Sequence, residues 1–563
     1  MLVYRSHENI VNPKSAWPAL VDSVKALGSA ASLDDLVAVA IELGELEAAI
    51  ADRLSPDRDG LDPLLADLRQ ASLVAGRILT ASVAGRHDHV QERIRDLLLR
   101  VTAISPTRLP SSLAVRTPEG FAFYALQPQA YAAAAARFAH ESHAERVVCI
   151  GIRSIGTILS GVVAAELHDR GIHVELYTVR PRGHPFDRVT LLDDQLSARL
   201  TGQPRETSFL IVDEGPGLSG SSMTSVAVVL TQLGIATDKI VLFPGWDADG
   251  STFQSAFARS VWQRHHRYTP GSEDLPVNGE FLTNAVDVSA GRWRTQVYRS
   301  EMDWPASHPQ HEMRKFWLRD QGLTIRFAGL GKYGRRKFER AAVLAEAGVG
   351  PPPVSLRSGY LSLPLIAGEP CTGAAVQQPL LNALASYLSV IARAFPAGDM
   401  PDRSHLDEMI DVNTREALGE DAGAVLRRLD RVRQCSPSSA VALDGRMLPH
   451  EWVRGPTGFV KVDALDHHAD HFFPGSVDIA WDLAAAAIEF RLPPQGVEYL
   501  VNHYERASGD RHARSRLPYY SIAWLAFRTG YATLARDSLA GTAEAQRFQQ
   551  LIERYTELLR SSQ

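Results

Sequence analysis

Cysteine is scarce in this chain of 563 residues, which has only three: Cys149, Cys371 and Cys435. Their wide separation fits neither a disulfide framework nor a zinc site of closely spaced thiolates. Positive charge is not in excess either, because 59 lysines and arginines face 65 aspartates and glutamates, a formal net charge of −6. This balance argues against a general affinity for nucleic acid.

Long apolar runs are also missing. No uninterrupted apolar segment is long enough to span a bilayer. Residues 1–7 lack the charged leader and apolar stretch of a secretion signal. We therefore expect no contact with a membrane and a cytoplasmic location. The apolar fraction of 45% is ordinary for a globular protein, and the length favours several domains.

The most informative segment covers residues 209–223. Its apolar start, residues 209–212, predicts a buried strand that ends at the adjacent acidic pair Asp213 and Glu214. A loop of Gly and Ser follows, and then a helical pattern. In a parallel sheet this order places carboxylates and backbone N–H groups where open α/β sheets bind ligands. The N–H groups suit a phosphate and the carboxylates suit sugar hydroxyls, so we predict a sugar-phosphate site.

This segment resembles the signature of the type I phosphoribosyltransferases, in which a strand, two acidic residues and a loop hold phosphoribosyl pyrophosphate (PRPP). Residues 215–218 depart from the family pattern. The resemblance implies that Asp213 and Glu214 are catalytic residues that steady the ribose. The loop residues that it assigns to the 5-phosphate are Gly217, Ser219, Gly220, Ser221 and Ser222. The alternative is an ordinary strand–turn–helix connection with a solvated acidic pair.

Two further predicted strands lead into loops that could meet an anion. The strand at residues 147–150 precedes a glycine loop with Arg153 and Ser154, which resembles the pyrophosphate loop of the same family. The strand at residues 173–179 runs into a basic loop that resembles the mobile family loop. Its candidate anion contacts are Arg180, Arg182, His184 and Arg188. For these arginines a solvated basic loop is the alternative.

Residues 1–105 differ from the rest of the chain. They show helical periodicity, for example over residues 36–50, and no catalytic grouping. We predict a helical accessory or dimerisation region there, so a homo-oligomer is possible. The phosphoribosyltransferase-like domain would then cover residues 106–290, and residues 291–320, rich in Pro and His, would form a linker.

A different pattern follows the linker. Residues 323–334 predict a strand that runs into a glycine turn, and residues 335–348 are strongly helical. This order resembles the small lobe of the aminoglycoside and choline phosphotransferases, which share the protein-kinase-like fold. There a glycine turn covers nucleotide phosphates, a strand cation pairs with them, and a helix glutamate orients that cation. The residues that the resemblance assigns to ATP are Arg326, Gly329, Gly331, Lys332 and Glu339.

The same resemblance continues near Asp444 and Asp463, which are 19 positions apart. In the family this is about the separation between the catalytic-loop aspartate and the aspartate that carries Mg²⁺. The resemblance implies that Asp444 orients or deprotonates the acceptor hydroxyl and that Asp463 binds Mg²⁺. His450 stands near the position of the family's metal-binding Asn, with Glu451 beside it. Asp466 is an alternative ligand.

Residues 466–471 have two other interpretations. Their carboxylate and imidazole groups suit a transition metal, although the spacing matches no established zinc pattern. They also suit a polar loop whose histidines satisfy local hydrogen bonds.

We therefore predict a multidomain enzyme of the α/β plus α+β class: a helical N-terminal region, a parallel-sheet domain and a bilobal kinase-like domain at residues 291–563. Its predicted function is to transfer phosphoribosyl from PRPP to a small acceptor and to phosphorylate a hydroxyl with ATP and Mg²⁺. One alternative is a regulatory protein that senses PRPP or a nucleotide. Another is a kinase whose parallel-sheet domain only recognises a ligand.

Overall fold

The computed structural model describes residues 1–5, 8–28, 30–184, 186–217, 219–251, 253, 255–271, 284–372, 377–398, 400–433, 439–456 and 458–561. The first hundred residues are mainly helical. Their elements are β1 (Glu8–Val11), α1 (Pro13–Ala26), α2 (Leu33–Leu54), α3 (Pro63–Val83) and α4 (His87–Ala103). Helix α2 begins at a capping box, in which Ser32 and Asp35 each satisfy the other's backbone N–H group.

A parallel sheet of five strands follows, as the sequence predicts. The strands are β3 (Arg146–Ile152), β4 (His173–Val179), β5 (Ser208–Val212), β6 (Ile240–Phe243) and β7 (His266–Arg267), in the order β4-β3-β5-β6-β7. Before them, β2 (Leu113–Arg116) pairs with β1. The helices are α5 (Glu119–Ala122), α6 (Ala130–Ser142), α7 (Gly156–Asp169), α8 (Asp194–Thr201), α9 (Ser221–Gln232) and α10 (Ala256–Trp262).

The strand order fixes where a ligand would bind in this sheet. From β3 the chain steps to one side for β4 and returns to the other side for β5. The carboxyl ends of β3 and β5 therefore form the switch point at which open α/β sheets bind ligands. All residues of β5 are buried, which explains its uninterrupted apolar sequence.

Helix α7 joins the parallel sheet to the N-terminal helices. It is buried on nearly every side, with α2 and α3 packed against it. A Cβ on Gly76 of α3 would lie 2.3 Å from the Gly161 carbonyl oxygen, so glycine permits this close approach. One hydrophobic core extends from Trp17 through the parallel sheet to Tyr360. The N-terminal helices are therefore part of the core that supports the sheet.

A second sheet is antiparallel, with the order β11-β12-β10-β9-β8. Its strands are β8 (Val286–Asp287), β9 (Lys315–Leu318), β10 (Leu323–Phe327), β11 (Ser355–Arg357) and β12 (Tyr360–Pro364). Helix α11 (Arg294–Val297) precedes β9, and α12 (Lys332–Glu346) follows β10. The predicted linker thus contains a helix and a strand of this sheet, and β8 comes from the residues assigned to the preceding domain.

The described residues after β12 are mainly helical and include one small sheet. That sheet contains β13 (Glu369–Pro370), β14 (Trp452–Gly455) and β15 (Gly458–Lys461). The helices are α13 (Gln378–Ala394), α14 (Ser404–Leu418), α15 (Ala422–Val432), α16 (Ala480–Glu489), α17 (Pro494–Ser508), α18 (Ala513–Ser538) and α19 (Ala543–Ser561). Within the described ranges, no helix has both the length and the apolar composition that a membrane span requires.

Candidate functional site

A cavity of about 450 Å³ opens at the carboxyl ends of β3 and β5. Asp213 and Glu214 line it, together with Ser222 in the first turn of α9 and Ser154 after β3. Ser154 has a φ of 111°, a backbone conformation that residues other than glycine rarely adopt. The structure therefore brings the predicted acidic pair and two predicted loops to one place, which we name the first cavity.

Burial determines the protonation of the acidic pair. It raises the pKa of Asp213 to about 7. The pKa of Glu214 lies well above its ordinary value, because the side chain is buried and Asp213 and Glu119 are nearby. The Gly120 N–H group donates to Glu214 Oε2 at 2.6 Å. Burial and the proximity of the two carboxyl groups therefore both favour the protonated forms of this pair.

The predicted pyrophosphate arginines are engaged by carboxylates from the N-terminal helices. Arg153 Nε donates to Asp52 Oδ1 at 2.8 Å, and Arg180 Nη2 donates to Asp52 Oδ2 at 2.7 Å. Arg182 Nη2 donates to Asp59 Oδ1 at 3.0 Å. The three predicted anion contacts thus already have carboxylate partners. The structure uses their charge to hold the N-terminal helices, and of the three only Arg153 and Arg180 line the cavity.

Other cations line the first cavity: Arg5, Arg116 and Arg188. Arg188 Nη1 donates to the Pro181 carbonyl oxygen at 3.2 Å, and burial lowers the pKa of its guanidinium. Sequence reasoning identified Arg188 but missed Arg5 and Arg116. No local signal marks the latter two, because they lie in segments far from the sheet motifs.

The predicted phosphate loop is only partly at the first cavity. Gly217 and Gly220 have φ values of 62° and 65°, so the turn requires glycine at both positions. Ser219 Oγ lies 2.9 Å from Ser221 Oγ. These four residues shape the turn before α9, whereas Ser222 lines the cavity. Leu218 lies outside the described residues.

A second cluster of charges forms where the antiparallel sheet meets the C-terminal helices. Arg326, on β10, pairs with Asp463 and donates through Nη2 to Asp466 Oδ2 at 2.7 Å. Lys315 Nζ, on β9, lies 2.7 Å from Asp463 Oδ2. Burial opposes ionisation of Asp463, but Arg326 and Lys315 hold its pKa well below its usual range. Lys337 Nζ lies 3.5 Å from Asp466 Oδ2.

Three residues of this region could hold a cation. Glu451, Asp463 and His467 each offer a ligand atom, and these atoms lie within 4.8 Å of one another. His467 Nδ1 is buried without a hydrogen-bond partner among the described residues, whereas Glu451 Oε1 lies 3.0 Å from Arg446 Nη2. The carboxylates suit Mg²⁺, and the imidazole extends the choice to Mn²⁺ or another transition metal. These residues therefore fit the divalent cation that the sequence predicts.

Two further predicted metal ligands, His450 and Asp466, are not among these three residues. The His450 ring stacks on Trp293 with centroids 5.4 Å apart, and burial lowers its pKa to about 4. Asp466 is occupied by Arg326 and Lys337. The structure thus places His467 where sequence reasoning placed His450. Adjacent histidines in residues 466–471 were the available signal, but spacing alone did not show which of them approaches Asp463.

Asp444 is fully buried and does not line the second cavity, which is described below. Tyr387 donates its hydroxyl to Asp444 Oδ2, and Lys461 Nζ lies 3.3 Å from the same oxygen. Asp482 accepts hydrogen bonds from the N–H groups of Asp444 and Gly445, both at 2.9 Å. This arrangement differs from the prediction that Asp444 meets an acceptor hydroxyl. It instead orients Lys461, which also binds Glu451 at 2.8 Å.

The glycine turn does not cover the cluster. A Cβ on Gly331 would lie 3.1 Å from Ala38 of α2, and buried Gly329 lies against the Ala122 carbonyl oxygen. Lys332 pairs with Glu45 of α2. Glu339 is exposed on α12 and does not orient Arg326. The structure therefore does not bring the turn, Lys332 and Glu339 together with Arg326. The turn is the docking surface for the N-terminal helices.

Arg326, Asp463, Asp466 and His467 line a narrow second cavity of about 100 Å³. It shares Phe123 and His471 with the first cavity. The two rings are T-shaped, with centroids 6.0 Å apart. The two candidate sites are therefore neighbours, with an aromatic partition between them.

The segment around α5 contacts both sites. Its Gly120 N–H group binds Glu214, and its Ala122 carbonyl oxygen accepts a hydrogen bond from Lys337 Nζ at 3.4 Å. Between these contacts, the Phe121 carbonyl oxygen accepts a hydrogen bond from the Leu330 N–H group at 2.9 Å. Three consecutive residues, 120–122, thus connect the acidic pair to the glycine turn and to the charge cluster.

No family model and no curated protein matches the chain. Among solved structures it is similar to a choline/ethanolamine kinase family protein from Mesorhizobium loti, with 17% identity, 51% of this chain and 95% of that chain covered, and a TM-score of 0.33. It is also similar to a choline kinase from Streptococcus pneumoniae, with 15% identity, 44% of this chain and 90% of that chain covered, and a TM-score of 0.29. A third similar structure is a macrolide 2'-phosphotransferase from Brachybacterium faecium, with 16% identity, 43% of this chain and 88% of that chain covered, and a TM-score of 0.30.

Asp59→Asn is expected to lower the free energy of unfolding by about 2–4 kcal/mol, because it leaves the buried Arg153 guanidinium without one of its carboxylate partners. Urea denaturation followed by circular dichroism measures the change. Asp57→Asn is the matched control, since Asp57 is exposed two positions away. Equal stabilities of the two variants would contradict the structural role assigned to Asp59.

Proposed function

We propose that the second cavity is a phosphoryl-transfer site that uses a divalent cation. The observation that carries this proposal is the pairing of Arg326, on β10, with Asp463, which lies 137 positions later in the chain. Phosphoryl transfer needs cations against the β- and γ-phosphates and carboxylates that hold a metal ion. The cluster supplies both kinds of group in a buried place, where their electrostatic effect is larger than in water.

The residues then divide into two groups. Glu451, Asp463 and His467 would hold the divalent cation, which neutralises charge on the phosphates when it is bound. Lys315 and Arg326 would exchange part of their contact with Asp463 for contacts with phosphate oxygens. Asp444 is a positioning residue in this proposal, because it acts on the cluster through Lys461 and does not line the cavity.

The size of the second cavity sets a condition on nucleotide binding. Its volume of about 100 Å³ is well below the roughly 300 Å³ at which small-molecule pockets begin. One wall is formed by residues 306–313. We therefore expect this wall to move when ATP binds, so that hydrogen exchange of residues 306–313 increases with ATP present.

For the first cavity we propose a ligand that combines sugar hydroxyls with phosphate. The acidic pair suits the hydroxyls, and Arg188 with Ser222 suits the phosphate. PRPP has both features, and phosphoribosyl transfer to a small acceptor is the reaction that we propose for this site. The partition shared with the second cavity supports the two-step function, in which the second site phosphorylates the product of the first.

The direct test incubates the purified protein with ATP, PRPP and Mg²⁺ or Mn²⁺ and a panel of nucleosides, bases and amino alcohols, with mass spectrometry of the products. We expect a phosphorylated product that requires ATP and the cation, and a phosphoribosylated product that requires PRPP. Calorimetric titration with each co-substrate separates binding from turnover. Binding of PRPP without turnover would favour the regulatory alternative, and absence of ATP binding with either cation would overturn the phosphoryl-transfer site.

A further inference from the structure

A third cavity, of about 1560 Å³, lies among the C-terminal helices, away from the acidic pair and the metal-binding residues. Helices α15, α16, α18 and α19 and residues 301–306 form its walls. Nothing in the proposed phosphoryl-transfer or phosphoribosyl-transfer function uses this space. Its volume exceeds that of the other two cavities, so a ligand larger than a metabolite headgroup fits it.

The floor of the third cavity is apolar. Its lining side chains come from α16, α18, α19 and the loop after α16, and include Ile488, Leu492, Leu517, Ile522, Leu525 and Leu551. Ile522 is only 4% exposed, so the apolar surface continues into the core between α16 and α18. A hydrocarbon chain that covers this floor would remove apolar surface from water, which is favourable in proportion to the area covered.

The rim of the cavity carries an excess of positive charge. Five arginines line it, against the two carboxylates of Glu301 and Glu557. The arginines are Arg428, Arg431, Arg491, Arg547 and Arg554. Two of them are neutralised by neighbours outside the lining, since Arg547 lies 2.7 Å from Glu544 and Arg554 lies 3.2 Å from Glu489.

The other arginines of the rim do not use carboxylates as partners in the hydrogen bonds that the structure shows. Arg428 Nη1 donates to the Arg560 carbonyl oxygen at 3.3 Å, and Arg431 Nε donates to the Arg427 carbonyl oxygen at 3.4 Å. Burial and the neighbouring Arg431 lower the pKa of Arg428, as expected when two cations lie together without an anion. Arg491 is exposed at the edge of the cavity.

We propose that the third cavity binds an amphiphile with a long hydrocarbon chain and a phosphate or carboxylate head. The chain would lie on the apolar floor, and the head would accept hydrogen bonds from Arg428 and Arg431. A neutral amphiphile would gain only the apolar part of this interaction. A cationic one would meet repulsion from the rim. The site thus selects for an anionic head.

The test is calorimetric titration of the full-length protein with dodecyl phosphate below its micelle concentration. We expect one saturable site, at least tenfold weaker binding of dodecyl maltoside, and no binding of dodecyltrimethylammonium. Tighter binding of dodecyl phosphate than of dodecanoate would assign a phosphate head, and the reverse order a carboxylate head. Equal affinities for the anionic and neutral amphiphiles would overturn the proposal.

Variants locate the site. Arg431→Gln changes an exposed side chain and should weaken dodecyl phosphate binding at least tenfold without affecting the fold. Arg428→Gln should weaken binding to the same extent, provided that circular dichroism shows the variant to be folded. Arg357→Gln, which removes an exposed arginine on β11, is the matched control and should bind as the parent does. Unchanged affinity in Arg431→Gln would overturn the proposal. So would binding to phosphatidate vesicles without binding to monomeric dodecyl phosphate, because a charged surface alone would then suffice.

Discussion

Asp463→Asn is expected to lower the rate of ATP-dependent phosphoryl transfer by about a thousandfold. The substitution removes a negatively charged ligand from the candidate metal set and leaves Glu451 and His467 to hold the cation. It also removes the ionised partner of Arg326 and Lys315. These two cations would then be held less precisely in the positions from which they contact the phosphates. Initial rates at saturating ATP, measured over a range of Mn²⁺ concentrations, test the expectation.

The control for this experiment must separate metal binding from folding. Glu339→Gln removes a carboxylate from the exposed face of α12 and should leave the rate unchanged. Asp463→Asn should still unfold cooperatively, because Arg326 keeps its contact with Asp466. A folded Asp463→Asn protein with the parental rate and the parental Mn²⁺ dependence would refute the role of Asp463 as a metal ligand.

Asp213→Asn is expected to make the protein more stable above pH 7, by up to about 4 kcal/mol. The pKa of Asp213 rises from 3.8 in the unfolded chain to about 7 in the folded protein. The folded state therefore binds more protons between these values, and the Asp213 contribution to stability falls as the pH rises from about 4 to about 7. Asparagine lacks this titration. Urea denaturation at pH 5 and pH 8 measures the difference, which should be clearly smaller at pH 5 than at pH 8.

The same variant separates stability from binding in the first cavity. Asp213→Asn combined with Glu214→Gln should lower PRPP affinity at least tenfold while it stabilises the fold, since charged groups kept buried for a ligand cost stability in its absence. Glu206→Gln, which changes an exposed carboxylate before β5, should alter neither quantity. A loss of stability at pH 8 in Asp213→Asn would mean that the carboxylate serves the fold and not a ligand.

Local patterns in the sequence predicted the parallel sheet, the buried strand β5 and the position of the acidic pair at its end. They did so because an apolar run, a turn and a helical pattern lie within a few residues of one another. Motifs placed Arg326 and Asp463 separately, but the predicted carboxylate partner of the strand cation was Glu339 and not Asp463.

The predicted site residues whose surroundings differ from the expectation have a common feature, which is contact with segments distant in the sequence. Asp52 and Asp59 neutralise arginines that lie about a hundred or more positions away, and no local pattern marks such partners. The glycine turn looked open because nothing in residues 323–334 indicates that Ala38 covers it. Similarly, spacing alone does not decide between His450 and His467, whereas the structure stacks His450 on Trp293 and brings His467 close to Glu451 and Asp463.

The short stretch from Gly120 to Phe123 has a thermodynamic consequence. A ligand that binds Glu214 in the first cavity also changes the hydrogen bond between Glu214 and the Gly120 N–H group. Because Ala122 lies two residues further on and accepts a hydrogen bond from Lys337, the change extends to the Lys337 ammonium group that faces Asp466. We therefore expect heterotropic coupling, with PRPP altering the dissociation constant of ATP. Linkage requires ATP to alter that of PRPP by the same factor, whichever one arrives first.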